Sequence, residues 1–237
     1  MNVQWVGSPN HYNGRGGYSI THITLHIMAG YLAGTDSMFA SPDSQVSAHY
    51  GIGGDGTIHQ YVAETDGSYS DANYMSNNST ISIEHEGGLP NVACTRECMD
   101  ASAGLCADIA RRQGWDYLWH DGTNGNVWLH REIPGTDHPS CPDLAPNGLD
   151  VDYVINKANQ ILAGQPAEED DDMQAIVQIN DDPGLAYFDG TKLHTLTHPD
   201  QVTALQMVAQ ACGKTLPAIK VGSSQAPWGT RLKEALQ

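Results

Sequence analysis

The sequence is poor in basic residues and has no long apolar run. Lysine and arginine together number 11, against 28 aspartates and glutamates, and the formal net charge is -17 at pH 7. Because nucleic acids are bound through basic surfaces, this charge argues against a nucleic-acid partner. No segment approaches the roughly 18 consecutive apolar residues that cross a bilayer, so no membrane span is expected.

The sequence also lacks an N-terminal charged region followed by an apolar stretch, which predicts synthesis without a standard export signal. Cysteine is scarce and irregularly spaced. An odd number without a framework spacing disfavours a disulfide scaffold and indicates a reduced, intracellular site of synthesis. The five cysteines are Cys94, Cys98, Cys106, Cys141 and Cys212.

Strand and helix patterns alternate through the first two thirds of the chain. Residues 18–30 and 79–88 alternate apolar and polar side chains, and residues 47–62 resemble a hairpin around Gly-Asp-Gly. Helical spacing of small and apolar residues marks segments 94–114 and 150–164. We therefore predict an α/β domain over residues 1–164, with a mixed central β-sheet flanked by helices.

A run of five acidic residues, 168–172, follows this domain. Such charges repel one another, so residues 165–172 are predicted to form a solvated linker. Residues 173–237 contain two strand patterns and a helix pattern after Pro199, and predict a small α+β domain. Its candidate exposed aromatic residues are Tyr187, Phe188 and Trp228, of which at least one is expected in its own core.

The segment "LHREIPGTDHPSCPD", residues 129–143, concentrates potential metal ligands in a proline-interrupted loop. The prolines exclude a continuous helix or a central strand. A catalytic zinc site needs three protein ligands and leaves a fourth position open. His130 and Cys141 are two candidates from this loop, and His26, near the end of a predicted strand, is a candidate third.

Four ordered segments of the chain, "ITLHIMAG", "SAHYGIGGDGTIHQYV", "NNSTISIEHEGG" and "HREIPGTDHPSCPD", resemble the successive motifs of the type 2 N-acetylmuramoyl-L-alanine amidases. That family shares its fold with the peptidoglycan recognition proteins. The resemblance covers roughly residues 7–163. It implies a cleft in which His26, His130 and Cys141 bind Zn²⁺, and hydrolysis of the amide between the lactyl group of N-acetylmuramic acid and L-alanine in peptidoglycan.

Zinc chemistry also needs a carboxylate that accepts a proton and delivers it to the leaving nitrogen. The resemblance implies this role for Glu84. Glu86 is a competitor, because residues two apart on a strand share a face. The chain departs from the family pattern at two positions. Ile27 stands where a second histidine is common and cannot help in binding or orientation, whereas Ala48 stands where some members have tyrosine, which increases the dependence on Glu84.

His138 precedes Cys141 by three residues, at a place where the family tends to supply a group that supports the developing oxyanion. We expect His138 to donate a hydrogen bond to the substrate carbonyl oxygen, with a role as metal ligand as its alternative. Asp143 is an alternative ligand to Cys141. Tyr69 and Asn73 are expected to contact glycan or stem peptide. His49 is a candidate for substrate binding or for a supporting position in the sheet.

The chain is therefore expected to be a zinc amidase, and the appended small domain favours a bacteriophage or prophage endolysin. Such a protein would accumulate in the host cytoplasm and reach the wall after holin-type release. The small domain would bind a secondary wall polymer or mediate self-association. The alternatives are a peptidoglycan-binding module without catalysis, an intracellular amidase that recycles muropeptides, and a zinc peptidase acting on the stem peptide.

Overall fold

The computed structural model of the protein describes residues 1–164, 174–211 and 215–236. The chain divides into two compact units, Met1–Ala167 and Glu168–Gln237. The predicted linker, residues 165–172, and Cys212 lie outside the described residues. Among the helices that the structure describes, none has the length and apolar character needed to cross a membrane.

The first unit is organised around a six-stranded sheet of mixed direction. The strands of this unit are β1 (Val3–Trp5), β2 (His11–Tyr12), β3 (His22–Ile27), β4 (Tyr50–Ile52), β5 (Ile58–Gln60), β6 (Gly67–Ser68), β7 (Thr80–His85) and β8 (Val127–Leu129). The sheet order is β1-β5-β4-β7-β3-β8, and β2 pairs with β6 separately. Strands β4, β7, β3 and β8 run parallel, whereas β4 and β5 form the predicted antiparallel hairpin.

Within residues 1–164 the structure has four α-helices: α1 (Leu32–Phe39), α2 (Tyr74–Ser79), α3 (Arg96–Gln113) and α4 (Val151–Leu162). The sequence predicts α3 from helical spacing and a C-terminal Gly114, and α4 from a capped apolar face. The Thr95 hydroxyl accepts a hydrogen bond from the backbone N–H of Cys98, and Gly114 ends α3 in the left-handed conformation. Asp150 caps α4 in the same way.

Strands β3 and β7 have one apolar face and one polar face, and both faces are buried. Ile23 and Leu25 belong to the same apolar core as residues of α3 and α4. The alternate residues, among them Thr24 and His26, point to the other face and make hydrogen bonds with the segment around Asp71. The parallel register places His26 beside Glu84 at the carboxyl ends of the two strands.

The second unit is a small α+β domain, as the sequence predicts. It contains β9 (Gln174–Ile179), β10 (Leu185–Asp189), β11 (Leu193–Leu196), α5 (Pro199–Ala211), β12 (Ala218–Val221) and α6 (Trp228–Ala235). The strand order is β11-β10-β9-β12. Of the three aromatic candidates, Phe188 is buried in the core and Tyr187 is half-buried, whereas 66% of Trp228 is exposed.

Candidate metal centre and catalytic groups

Three potential metal ligands from distant parts of the chain converge at the carboxyl edge of the main sheet. Leu25 of β3 pairs with Leu129 of β8, so the residues that follow them, His26 and His130, become neighbours. Their Nδ1 atoms lie 3.0 Å apart. Cys141 completes the group, and one ligand atom from each of the three buried residues lies within 4.8 Å of the others.

The loop between His130 and Cys141 is closed by contacts adjacent to both residues. The backbone N–H of Arg131 donates to the carbonyl oxygen of Cys141 at 2.8 Å. The Arg131 guanidinium also binds both carboxylate oxygens of Asp143, at 2.7 and 3.0 Å. Such a bidentate contact is geometrically specific as well as electrostatically favourable. Asp143, the alternative ligand, thus has its carboxylate engaged by Arg131.

Asp71 supports His26 from behind and is the site residue that the sequence did not reveal. Its Oδ1 atom lies 3.1 Å from Nε2 of His26, and its Oδ2 atom accepts hydrogen bonds from Thr24 and Ser76. Burial opposes ionisation of Asp71, but the contacts with His26 and the hydroxyls hold its pKa well below the usual range. A carboxylate on the outer nitrogen of a metal-binding histidine fixes the ring and its tautomer.

The three converging side chains fit a zinc-type cation. Two imidazoles and a thiolate form a donor set that such a cation favours. Burial lowers the pKa of His130 to about 3, so this imidazole is neutral, as a metal ligand must be. Its Nε2 atom is buried without a hydrogen-bond partner among the described residues. The backbone N–H of Ile27 donates to the Cys141 sulfur at 3.3 Å.

The structure separates the two candidate carboxylates. Glu84 reaches the metal ligands, with Oε1 4.0 Å from Nδ1 of His26, and its Oε2 atom is buried without a described partner. Burial raises the pKa of Glu84, a shift that suits a group exchanging protons near neutrality. Glu86 instead accepts a hydrogen bond from the backbone N–H of Leu32 at 2.9 Å and so caps α1.

His138 lies at the entrance of this group. Its ring stacks on His130 with the centroids 4.6 Å apart, and its Nδ1 atom lies 2.7 Å from a carboxylate oxygen of Asp137. Its side chain is more than half exposed. His138 is therefore accessible from solvent while remaining in contact with a metal-ligand candidate.

The remaining predicted residues occupy different surroundings. Tyr69 lines the same cleft as His130 and His138. Asn73 caps α2, and its side-chain amide donates a hydrogen bond to the carbonyl oxygen of Pro134, at 3.0 Å, in the loop between His130 and Cys141. His49 is not brought to the cleft, because it is fully buried and bonded to Arg15 and Ser82 on the polar face of the sheet. We propose for His49 a structural role within that network.

Comparisons with known proteins identify the family of the chain. The profile of the N-acetylmuramoyl-L-alanine amidase family matches residues 16–143. N-acetylmuramoyl-L-alanine amidase A of Achromobacter lyticus is 39% identical over 94 residues, which are 39% of this chain and 52% of that relative. The chain thus matches about half the length of this curated relative.

Solved structures share the fold at low sequence identity. The Staphylococcus aureus hydrolase AmiA, solved with its ligand, has a TM-score of 0.54 and 20% identity over 70% of this chain and 87% of AmiA. AmpD has a TM-score of 0.50 and 20% identity over 68% of this chain and 93% of AmpD. The family profile covers more than half of the sequence, and the chain belongs to the N-acetylmuramoyl-L-alanine amidase family.

Proposed function

We propose that the chain is a zinc-dependent amidase that cleaves peptidoglycan between the lactyl group of N-acetylmuramic acid and L-alanine. The observation that carries this proposal is the convergence of His26, His130 and Cys141 beside Glu84, in a member of the amidase family. A binding module without catalysis would not need a buried carboxylate next to a complete ligand set. The alternative of a non-catalytic module is therefore disfavoured.

The side chains of the cleft divide the chemistry among them. When bound, zinc would act as a Lewis acid for the amide carbonyl and would lower the pKa of a water molecule towards about 7. His26, His130 and Cys141 would hold it, and Asp71 would keep His26 in the orientation that binding requires. Glu84 would accept the proton of the attacking water and deliver it to the leaving nitrogen.

We propose that His138 stabilises the negative charge that develops on the substrate. It stacks on His130 at the open side of the ligand group, and Asp137 holds its Nδ1 atom. The other ring nitrogen, Nε2, is then the one available to the substrate. We propose that, with a proton on both ring nitrogens, Nε2 donates a hydrogen bond to the carbonyl oxygen as that oxygen becomes charged.

The biological role that we propose is that of a bacteriophage endolysin, with the second unit as its wall-binding or self-association module. This is supported by the second compact unit, with its own core and an exposed Trp228. A recycling amidase acting on released muropeptides has no evident need for such a unit. Co-sedimentation of the full chain with intact walls, compared with the Trp228→Ala variant, tests wall binding. Light scattering tests self-association.

Metal-dependent amide hydrolysis is tested by counting new amino groups on purified peptidoglycan. The zinc-loaded protein should release them, a chelated sample should not, and added zinc should restore the activity. Retention of full activity by a protein shown to be free of metal would exclude the proposed zinc chemistry. A loaded protein that releases no amino groups would exclude the amidase activity.

A further inference from the structure

Three tyrosines from separate segments form one aromatic surface beside the metal-ligand candidates. Tyr12 of β2 is central: its ring lies 4.6 Å from that of Tyr69 and 5.2 Å from that of Tyr74, with edge-to-face geometry in both pairs. We call Tyr12, Tyr69 and Tyr74 the tyrosine wall. Tyr18 extends it, with its ring 6.1 Å from that of Tyr74.

The tyrosine wall lines a cleft of about 640 Å³ that also includes His130 and His138. A ligand lying against the wall would therefore be next to the proposed site of hydrolysis. The wall is fixed by ordered elements, because Tyr74 opens α2 directly after the Asn73 cap and Tyr12 lies in a strand pair. Rings held in this way can receive a ligand without first becoming ordered.

The chemistry of this cleft suits an uncharged ligand. Apart from the two imidazoles, its described lining consists of apolar, hydroxyl and amide side chains, and includes no carboxylate, lysine or arginine. A stem peptide carries carboxylates, which would call for cationic partners. A sugar ring has an apolar C–H face and neutral hydroxyls, and therefore matches both the aromatic rings and the polar groups.

The side chains of the tyrosine wall are also accessible to a ligand. Tyr74 is 54% exposed although it is aromatic. Within the part of the chain that the structure describes, no hydrogen bond occupies the hydroxyl of Tyr12, Tyr69 or Tyr74. A buried tyrosine usually finds a partner for this group. These hydroxyls remain available to the hydroxyl or acetamido groups of a ligand.

We propose that the tyrosine wall binds a sugar ring of the glycan strand, next to the amide that is cleaved. This inference rests on the proposed amidase function, and it assigns the wall to the glycan and not to the stem peptide. The wall would then set the preference for substrates that carry the sugar.

Two substrates that differ only in the sugar test the proposal. One is N-acetylmuramoyl-L-alanyl peptide, and the other is the lactoyl-L-alanyl peptide, which has the same amide without the sugar. Tyr74→Ala should raise KM about tenfold for the first and leave KM for the second unchanged, since loss of one aromatic contact is worth about this factor. Tyr74→Phe, which keeps the ring, should restore most of the binding.

Tyr117→Ala is the matched control, because Tyr117 is similarly exposed but does not line the cleft. Thermal unfolding of each variant checks its folding, and titration of the wild type with glycan strands stripped of peptide gives a readout without hydrolysis. Tyr74→Ala should weaken that binding too. Equal effects on both substrates, or weaker binding of free stem peptide only, would overturn the assignment. A wild type that cleaves neither substrate would refute the amidase function itself.

Discussion

Oδ1 of Asp71 lies 3.1 Å from Nε2 of His26, across a separation of 45 residues in the sequence. The other carboxylate oxygen is held by the hydroxyls of Thr24 and Ser76. These hydrogen bonds to Oδ2 hold the Asp71 carboxylate in position, with Oδ1 facing the histidine. The contact leaves Nδ1 of His26 directed towards His130, where the candidate ligands converge.

Asp71→Asn should weaken zinc binding by about 10- to 100-fold, the usual effect of removing a carboxylate behind a metal-binding histidine. Competition with a zinc-sensitive chelating dye measures this directly. Asp116→Asn, an exposed change outside the cleft, is the control and should leave zinc affinity unaltered. Unchanged affinity in Asp71→Asn would remove Asp71 from the metal centre.

Cys141→Ala should lose zinc and activity together, because the thiolate is one of only three protein ligands in the proposed site. Metal content per chain, measured by atomic emission, gives the result. Cys94→Ala removes another thiol outside this group and should keep zinc. If Cys141→Ala retained full zinc and activity, the ligand role would pass to Asp143 or His138.

Glu84→Gln should lower the turnover number at least about a hundredfold, the lower end of general-base contributions. Zinc content and binding to peptidoglycan should remain, since Glu84 is not proposed as a ligand. Glu86→Gln is the comparison, because this carboxylate caps α1 and should affect stability more than turnover. A near-wild-type rate in Glu84→Gln would exclude Glu84 as the base.

The polar face of the sheet predicts a loss of stability in acid. Burial lowers the pKa of His22 and of His49 to about 4 in the folded protein. Between this value and about 6.5 the unfolded chain binds protons that the folded chain does not, so the free energy of unfolding decreases as pH falls through that range. Each histidine should contribute a decrease of about 2 kcal/mol between pH 7 and pH 5.

Urea unfolding of the metal-free protein at the two pH values measures this decrease. His49→Gln should reduce the pH dependence, whereas His198→Gln, which changes an exposed histidine, should not. An identical pH dependence in the wild type and His49→Gln would show that His49 contributes nothing to it.

The sequence predicted the elements whose signals are local. Alternation identified β3 and β7, and capping residues with helical spacing identified α3 and α4. Short elements without such a signal escaped: α1 contains a glycine and has neither an acidic residue in its first turn nor a basic residue in its last turn, and α2 has only six residues. Their positions depend on packing against the sheet.

The metal-ligand candidates of the site could be predicted because their motifs follow one another along the chain in the order seen in the family. The structure brings His26, His130 and Cys141 together as expected. Asp71 was not predictable, because an aspartate among small polar residues has no local mark of a contact formed 45 residues away. Glu86, the alternative to Glu84, lies beyond the end of β7 at His85, so the alternation of faces that made it a candidate does not extend to it.

Mass spectrometry of digested peptidoglycan tests the central claim most directly. The zinc-loaded protein should produce glycan with free lactyl carboxyl groups, together with stem peptides that begin with an L-alanine amino group. Glu84→Gln should yield neither product in the same time. New amino termini inside the stem peptide, or new reducing sugar ends with the lactyl amide intact, would contradict the assignment of this chain as a muramoyl amidase.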